Sequence, residues 1–264
     1  MTTLVTLKQK LNHPQASYKT DELNFLMNNI GNPNSEIRDN LVCSIFGKAF
    51  LNNEFTFEQA RFCYETAIKQ NLLFYRLEET DPATLTRSFT CLLYYLIIHT
   101  SNDSHSSYYH LLTSQEEVKL YNLLIKYLKT EHDFTASTPE YGWVDAIPHC
   151  SDALSEAIKQ KNFSSQLVED LLQATDKLLK NIDRNLDHDE LSRLAAIYIN
   201  GFKNKKITNQ RLLLWSNQLS NIESKNSNVV NLLTDICNQL IKFKLITSKI
   251  KNDILYNLII SKND

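Results

Sequence analysis

The sequence predicts an all-α protein in which antiparallel helix pairs stack as a HEAT-like α-solenoid of about ten or eleven helices. Three observations lead to this prediction. Apolar residues recur at helical spacing along most of the chain. Strand signals, meaning alternating β-branched runs between Asn-Gly or Asp-Gly turns, are missing from the sequence. The 264 residues include only 4 Gly and 5 Pro, too few for the many turns of sandwiches and barrels.

Helix start signals recur along the chain and define its elements in order. Thr20-Asp21 precedes the first clear apolar stripe, which Gly31 ends as a C-cap. Thr56 with Gln59 three residues later has the pattern of a capping box. Other starts are predicted at Ser35, Asp81-Pro82, Ser114, Ser164, Asp187, Thr208, Ser227 or its neighbours, and Thr247. No stretch has the composition of a flexible linker, so we expect a single domain, 1–264.

The charge balance argues against strongly charged partners. The formal net charge is -2, which predicts no strong attraction to nucleic acid or acidic lipid. The charge is uneven, however, at -5 over residues 1–163 and +3 over residues 164–264. Within the second part, Lys203, Lys205 and Lys206 form either a solvated loop or a contact for a phosphate backbone.

The cysteines and the N-terminal segment indicate a cytoplasmic protein. Five cysteines are far apart and include no CxxC pair, so we expect buried, reduced thiols. The N-terminal segment lacks the basic and apolar regions of a signal peptide. The longest apolar stretch, 91–98, is too short to span a bilayer, so no membrane partner is expected.

Residues 131–157 contain the strongest candidate for a chemical site. A helix is expected from Tyr141, which would place Asp145, His149, Asp152 and Glu156 along one side. Two carboxylates on either side of an imidazole suit a divalent metal, a histidine general base, or a cationic or hydroxyl-rich ligand. The structural alternative is an acidic face that is solvated or internally paired.

Pro148 and Trp143 lie within the same segment. Proline inside a helix removes a backbone donor, so Pro148 is expected to kink the helix or break its first turn. The carbonyl groups freed in this way would then face whatever lies beside His149. Trp143 is expected next to the polar stripe, either as part of the site or as core.

Two arginines occupy positions that need a charged partner. Arg38 lies in the first turn of a predicted helix, where the helix dipole favours Asp39 but not a cation. Arg87 precedes a nearly continuous apolar run, so we expect it to be buried in a structural ion pair. Its first candidate partner is Asp39, followed by Glu131 or Asp133.

Short signatures run through residues 20–200 in an order and spacing typical of one family. They are Ile30-Gly31-Asn32-Pro33, Glu36-Ile37-Arg38-Asp39, Arg87-Ser88-Phe89-Thr90, Glu131-His132-Asp133, Gly142-Trp143, Ala146, His149 with Asp152-Ala153-Leu154, and Asp189-Glu190-Leu191-Ser192-Arg193-Leu194. In these pieces the chain resembles a bacterial family known only as domain of unknown function 2785. The resemblance implies an all-helical, HEAT-like protein without an agreed biochemical function.

The family's motif, GWxHAxAHxxD, differs from this sequence at two positions. Asp145 occupies the place of its first histidine and Pro148 that of an alanine, whereas His149 and Asp152 match. If the first histidine were a ligand or a catalytic base, this chain would have changed or lost the activity. The resemblance also implies that the signature residues meet in one pocket, and these are Arg38, Asp39, Arg87, Trp143, His149 and Asp152.

The favoured function is a binding module with a concave polar pocket around His149 and Asp152, whose partner is a protein or a small molecule. The alternative is a small-molecule hydrolase-like enzyme with His149 as general base or metal ligand, Asp152 orienting it, and Arg38 or Arg87 binding a substrate anion. The candidate catalytic residues are His149, Asp152 and Asp145, and no cofactor or metal ligand is assigned. Nucleic-acid binding is disfavoured because the acidic stripe and the net charge oppose it.

Overall fold

A computed structural model describes residues 3–220 and 227–260, and it confirms the all-α class. The elements are α1 (Thr3–Leu11), α2 (Thr20–Asn28), α3 (Ser35–Ile37), a π-helical segment (Arg38–Cys43), α4 (Ser44–Leu51), α5 (Phe57–Lys69), a 3-10 turn (Leu72–Phe74), α6 (Ala83–Asn102), α7 (Ser114–Thr130), β1 (Ser137–Thr138), β2 (Gly142–Trp143), α8 (Ala146–Ala157), α9 (Ser165–Asn181), α10 (His188–Lys203), α11 (Asn209–Ser220), α12 (Asn228–Lys242) and α13 (Ser248–Ile260). Because α3, the π-helical segment and α4 are continuous, these ranges contain twelve separate α-helices, slightly more than expected. β1 and β2 pair as a short antiparallel ribbon.

The chain folds into two compact units. Unit 1 comprises residues 1–120 and 133–153, and unit 2 comprises residues 121–132 and 154–264. Fully buried apolar side chains form a core in each unit. In unit 1 they include Leu26, Ile45, Phe50, Leu85, Ile97 and Tyr108, and in unit 2 Leu171, Leu194, Tyr198, Trp215, Leu232 and Ile236. The single domain expected from the sequence stays a prediction.

Local capping determines where many of the helices begin. Thr56, Ser164 and Asp187 cap α5, α9 and α10 as predicted, and each side-chain oxygen accepts a hydrogen bond from the backbone amide three residues later. The caps before α3 and α7 lie one residue earlier than predicted, at Asn34 and Thr113. These short-range bonds satisfy amides that have no partner within the helix.

Three helix–helix turns share one design, although the sequence shows no clear repeat. They are Asn53-Glu54-Phe55-Thr56, Lys205-Lys206-Ile207-Thr208 and Lys244-Leu245-Ile246-Thr247. The first residue of each turn has a left-handed backbone, and the amide of the second bonds the carbonyl five residues before it. The third residue is a buried apolar anchor. The threonine accepts a hydrogen bond from the amide three residues later and so starts the next helix.

Within each unit, helices pack against the next helix in the chain and against the one after it, where α3, the π-helical segment and α4 count as one helix. In unit 1, α1 packs against α2 and α4, and α2 packs against α5. In unit 2, α10 packs against α12, α11 against α13, and α12 against α13. Consecutive helix hairpins therefore lie side by side within each unit.

The remaining sequence expectations concern membranes and cysteines. No helix within 3–220 and 227–260 combines the length and the apolar character that crossing a membrane requires. All five cysteines are free thiols, and all are buried except Cys43, which is half-buried. Burial raises the pKa of the Cys43 thiol to about 11 and that of the Cys63 thiol to about 12, so both are protonated at neutral pH.

Candidate functional site

Arg38 is completely buried at the start of the π-helical segment in unit 1. Its Nε donates to Asp39 Oδ1 at 2.8 Å, and its Nη2 donates to Asp39 Oδ2 at 3.1 Å. Its Nη1 donates to the carbonyl oxygens of Asn32 (3.0 Å) and Pro33 (3.4 Å). Burial raises the pKa of Asp39 above its ordinary value, while the guanidinium of Arg38 opposes that rise. The pair therefore attaches the 30–33 loop to the following helix.

The same guanidinium holds the β-ribbon. Nη2 of Arg38 donates to the carbonyl oxygens of Tyr141 (2.6 Å) and Trp143 (3.3 Å), on either side of Gly142. Gly142 has φ +70°, a left-handed backbone that glycine adopts without strain. The indole of Trp143 is 61% exposed, so Trp143 is not a core residue. Arg38 thus binds the backbone of the Gly-Trp signature and not its side chain.

His149 is 7% exposed and is held by the signature residues of α6. Its ring meets Phe89 edge-to-face with centroids 5.1 Å apart, and the guanidinium of Arg38 lies 4.8 Å from the centroid of Phe89. The Oγ of Ser88 lies 2.8 Å from His149 Nδ1 and also donates to the carbonyl oxygen of Val144. A hydroxyl has one proton and a carbonyl only accepts, so Nδ1 of His149 must donate to Ser88. This arrangement orients His149 and leaves it unable to remove the proton of Ser88 through Nδ1.

The helix expected from Tyr141 begins later, which corrects the prediction for Pro148. α8 starts at Ala146, and the carbonyl of Asp145 accepts the first bond of this helix, from His149 N at 3.0 Å. Pro148 is therefore the third residue of α8, where a backbone amide has no partner within the helix. No helical hydrogen bond is lost there, and α8 continues without a break from Ala146 to Ala157. Asp145 instead has a left-handed backbone, with φ 46°.

The predicted acidic stripe is largely buried. Asp145 is 8% exposed and Glu156 is 6% exposed, while Asp152 is half-buried. The carboxylate of Glu156 pairs with Lys159 and accepts from Gln160. Among the residues that the structure describes, no three His, Cys, Asp or Glu side chains converge as metal ligands would.

Arg87 is completely buried, as predicted, but its first candidate partner, Asp39, binds Arg38 instead. The guanidinium of Arg87 donates to three carbonyl oxygens of the loop before α6 and to the hydroxyl of Thr84 at 2.9 Å. These carbonyls belong to Tyr75 (3.0 Å), Arg76 (3.2 Å) and Glu79 (3.0 Å). Thr84 in turn donates to Asp133 Oδ2 at 2.6 Å, so Asp133, one of the alternative partners, joins this network through a hydroxyl.

A cavity of about 380 Å³ lies between the two loops that these arginines hold. Its lining residues come from the end of α2, the 30–33 loop, the 70–76 segment and the start of α6. They are Met27, Asn28, Ile30, Gly31, Asn32, Pro33, Gln70, Leu72, Tyr75, Arg76, Pro82, Ala83 and Thr86. Arg38 fixes the wall at 30–33 and Arg87 fixes the wall at 75–79. Neither arginine lines the cavity itself.

The 30–33 loop carries a family signature in the sequence, but its place in a cavity with the other lining residues was not predicted. Asn28 and Gln70 are isolated exposed amides at helix ends, and no spacing rule connects two residues so far apart in the chain. One local signal was present at Gly31. A Cβ on Gly31 would overlap the backbone and hydroxyl of Thr86, so this glycine marks a close approach between the 30–33 loop and α6.

The family whose members are described as protein of unknown function (DUF2785) matches residues 73–242. The chain belongs to this family. The match includes Arg87, Trp143, His149 and Asp152, whereas Arg38 and Asp39 precede it. No curated protein and no solved structure matches the chain.

Proposed function

We propose that this DUF2785 protein is a binding protein that takes a small polar molecule into the cavity of unit 1. The observation that carries the proposal is that two completely buried arginines hold opposite walls of this cavity through backbone carbonyls. A buried guanidinium is costly unless it is fully hydrogen-bonded, and here the carbonyl groups that satisfy each guanidinium belong to the walls of the cavity. Arg38 and Arg87 are, in this proposal, positioning residues.

The size and lining of the cavity support a small ligand over a protein partner. A volume of about 380 Å³ falls within the range of small-molecule sites, roughly 300–1,000 Å³. The amides of Asn28 and Gln70 and the hydroxyl of Thr86 offer donors and acceptors. Among the described residues that line the cavity, Arg76 is the single charged one, and its Nε pairs with Glu79 at 2.7 Å. This lining suits a neutral polar ligand best, while a ligand with a single negative charge would bind the remaining N–H groups of Arg76.

A HEAT-like solenoid is the second part of the proposal. Two observations support it. Consecutive hairpins lie side by side within each unit, as where α10 and α11 pack on α12 and α13, and one turn design recurs three times. Stacked hairpins of this kind form extended binding surfaces in repeat proteins.

A cytoplasmic location is the third part of the proposal. The free thiols of all five cysteines support a reducing compartment.

Ligand-observed NMR tests the cavity directly. The probe is a set of neutral amides, sugars and monocarboxylates, applied to the full chain and to two variants. Gln70→Trp places a bulky ring at the exposed rim of the cavity, and Lys69→Trp places the same ring one residue away, outside the lining. We expect the wild type and Lys69→Trp to bind the same members of the set and Gln70→Trp to bind them at least about tenfold more weakly, at an unchanged melting temperature. If no member binds the wild type, or if both variants bind equally, the proposal is wrong.

A further inference from the structure

Unit 2 carries a positively charged edge formed by the ends of α8, α10 and α12 and the turns that follow them. With the helix-terminal residues Lys203 and Lys242 included, the turns are residues 158–163, 203–206 and 242–245, and we call them together the basic edge. They contain seven lysines and no acidic residue. The lysines are Lys159, Lys161, Lys203, Lys205, Lys206, Lys242 and Lys244.

Direct contacts place the three turns next to one another. Lys206 Nζ donates to the carbonyl oxygens of Lys161 (3.3 Å) and Phe163 (2.9 Å), which joins the first two turns. The ammonium of Lys203 lies 3.4 Å from the ring centroid of Phe243, which joins the second and third turns. The lysines therefore follow one continuous line along unit 2.

Most of this charge is not neutralised within the protein. Lys159 pairs with Glu156, but Lys161, Lys203, Lys205, Lys242 and Lys244 are exposed and form no ion pair with a carboxylate among residues 3–220 and 227–260. The helices that begin after the turns, α9, α11 and α13, also direct their N-terminal amides toward this edge, and helix N-termini attract anions. A line of lysine ammoniums beside three helix N-termini is a surface for an extended polyanion.

We propose that the basic edge binds the phosphodiester backbone of single-stranded nucleic acid. Phe243 is 45% exposed and the ammonium of Lys203 lies over its ring, so the exposed part of the side chain is available to an unpaired base. Lysines along the backbone combined with an aromatic platform are the usual means of binding single strands without sequence preference. A lipid surface fits less well because exposed apolar side chains, Phe243 and Leu245, occur at only one of the three turns.

The main objection from the sequence no longer applies to this edge. The acidic stripe that disfavoured nucleic acid is largely buried, since Asp145, His149 and Glu156 are each less than a tenth exposed. The net charge of -2 is a property of the whole chain, whereas the three turns carry only positive charge. Local charge determines contacts at distances of about 10 Å or less in physiological salt.

Fluorescence anisotropy with labelled dT20 and U20 tests the proposal on the full chain. If four phosphates are neutralised, raising the salt from 50 to 200 mM should weaken binding by about 50-fold, since each contact contributes about -0.7 to the salt slope for single strands. Charge reversal at Lys203, Lys205 and Lys244 to Glu should weaken binding by more than about tenfold. Phe243→Ala should weaken it by about tenfold through lost stacking.

The matched control reverses three exposed lysines elsewhere in unit 2, Lys129, Lys177 and Lys180, to Glu. This variant has the same net charge as the first and should bind like the wild type, and circular dichroism checks that both variants are folded. Three outcomes would overturn the proposal: no binding of dT20 or U20 at 50 mM salt, an equal loss in both triple variants, or binding to acidic lipid vesicles in preference to the oligonucleotides.

Discussion

Replacing Arg38 with Met should destabilise unit 1 by about 4 kcal/mol. The change removes a buried cation that bonds Asp39 and four carbonyl oxygens and lies over Phe89. Removing one partner of a buried pair costs about 3–5 kcal/mol. Asp39 is a quarter exposed and can be hydrated, which reduces the cost, but the carbonyls of the 30–33 loop and the ribbon lose their donor. Methionine fills most of the volume, so cavity formation adds little.

Urea unfolding followed by far-UV circular dichroism measures this loss. The chain has two tryptophans, so the measurement uses a Trp143→Phe background in which Trp215, buried in unit 2, reports separately on that unit. Hydrogen exchange of residues 141–144 reports on the ribbon. In a thermal melt of the same variant, we expect the melting temperature of unit 1 to fall by roughly 10 °C, and we expect exchange in the ribbon to accelerate. Arg38→Lys keeps the charge but not the planar fork, so it should lose more than half of the same stability.

A matched control is available at Arg61, which pairs with Glu116 and Glu65 but is 29% exposed. Partly exposed pairs of this kind contribute about 1 kcal/mol or less, so Arg61→Met should have a small effect. If Arg38→Met costs no more than Arg61→Met, Arg38 does not hold the loops and the positioning role assigned to it is wrong.

Three further predictions test the surroundings of the cavity and the surface of unit 1. Gly31→Ala should destabilise unit 1 by about 2 kcal/mol or more, because its Cβ would overlap the backbone of Thr86. Gly47→Ala in α4, where a Cβ meets no atom within 4 Å, should instead stabilise unit 1 by about 0.5–1 kcal/mol. Thermal melts compare the two variants. His149→Ala should lower the free energy of unfolding by about 2–4 kcal/mol, because the ring is buried against α6, and an unchanged urea midpoint would contradict this. The pKa of Glu116 is lowered to about 2, chiefly by its hydrogen bond from Arg61. Its contribution to the free energy of unfolding is therefore complete above about pH 4.5 and is lost as the pH falls toward 2. Glu116→Gln should remove that part of the acid dependence, and NMR titration of the wild-type carboxyl group measures the lowered pKa directly.

The helices could be predicted because their causes are local. A side-chain cap such as Thr56 or Asp187 bonds an amide three residues away, so the same short stretch of sequence contains both partners. The burial of Arg87 was predictable from the apolar run that follows it. The place of Asp133 in its network was also predicted, but the bonds from Arg87 to the carbonyls of residues 75, 76 and 79 were not, because backbone carbonyls carry no signature in the sequence.

The segment around Gly142 shows why the site was harder to predict. Helical spacing alone placed Asp145 on the same stripe as His149, but the ribbon keeps residues 137–143 out of the helix. Its carbonyls are held by Arg38, more than a hundred residues earlier in the chain. A contact of that separation overrides local periodicity, and a single sequence does not reveal it.

The recurring turn shows how one turn design can occur three times without a visible consensus in the sequence. Each copy needs one residue that tolerates a left-handed backbone, one apolar anchor and one threonine, and the positions between them are free. Asn53, Lys205 and Lys244 fill the left-handed position where glycine is usual, which accounts for part of the scarcity of glycine. The two copies of the turn in unit 2 contain lysines, whereas the copy at Asn53 contains none. The turn design therefore constrains the backbone, while the charge of each turn can differ from one copy to the next.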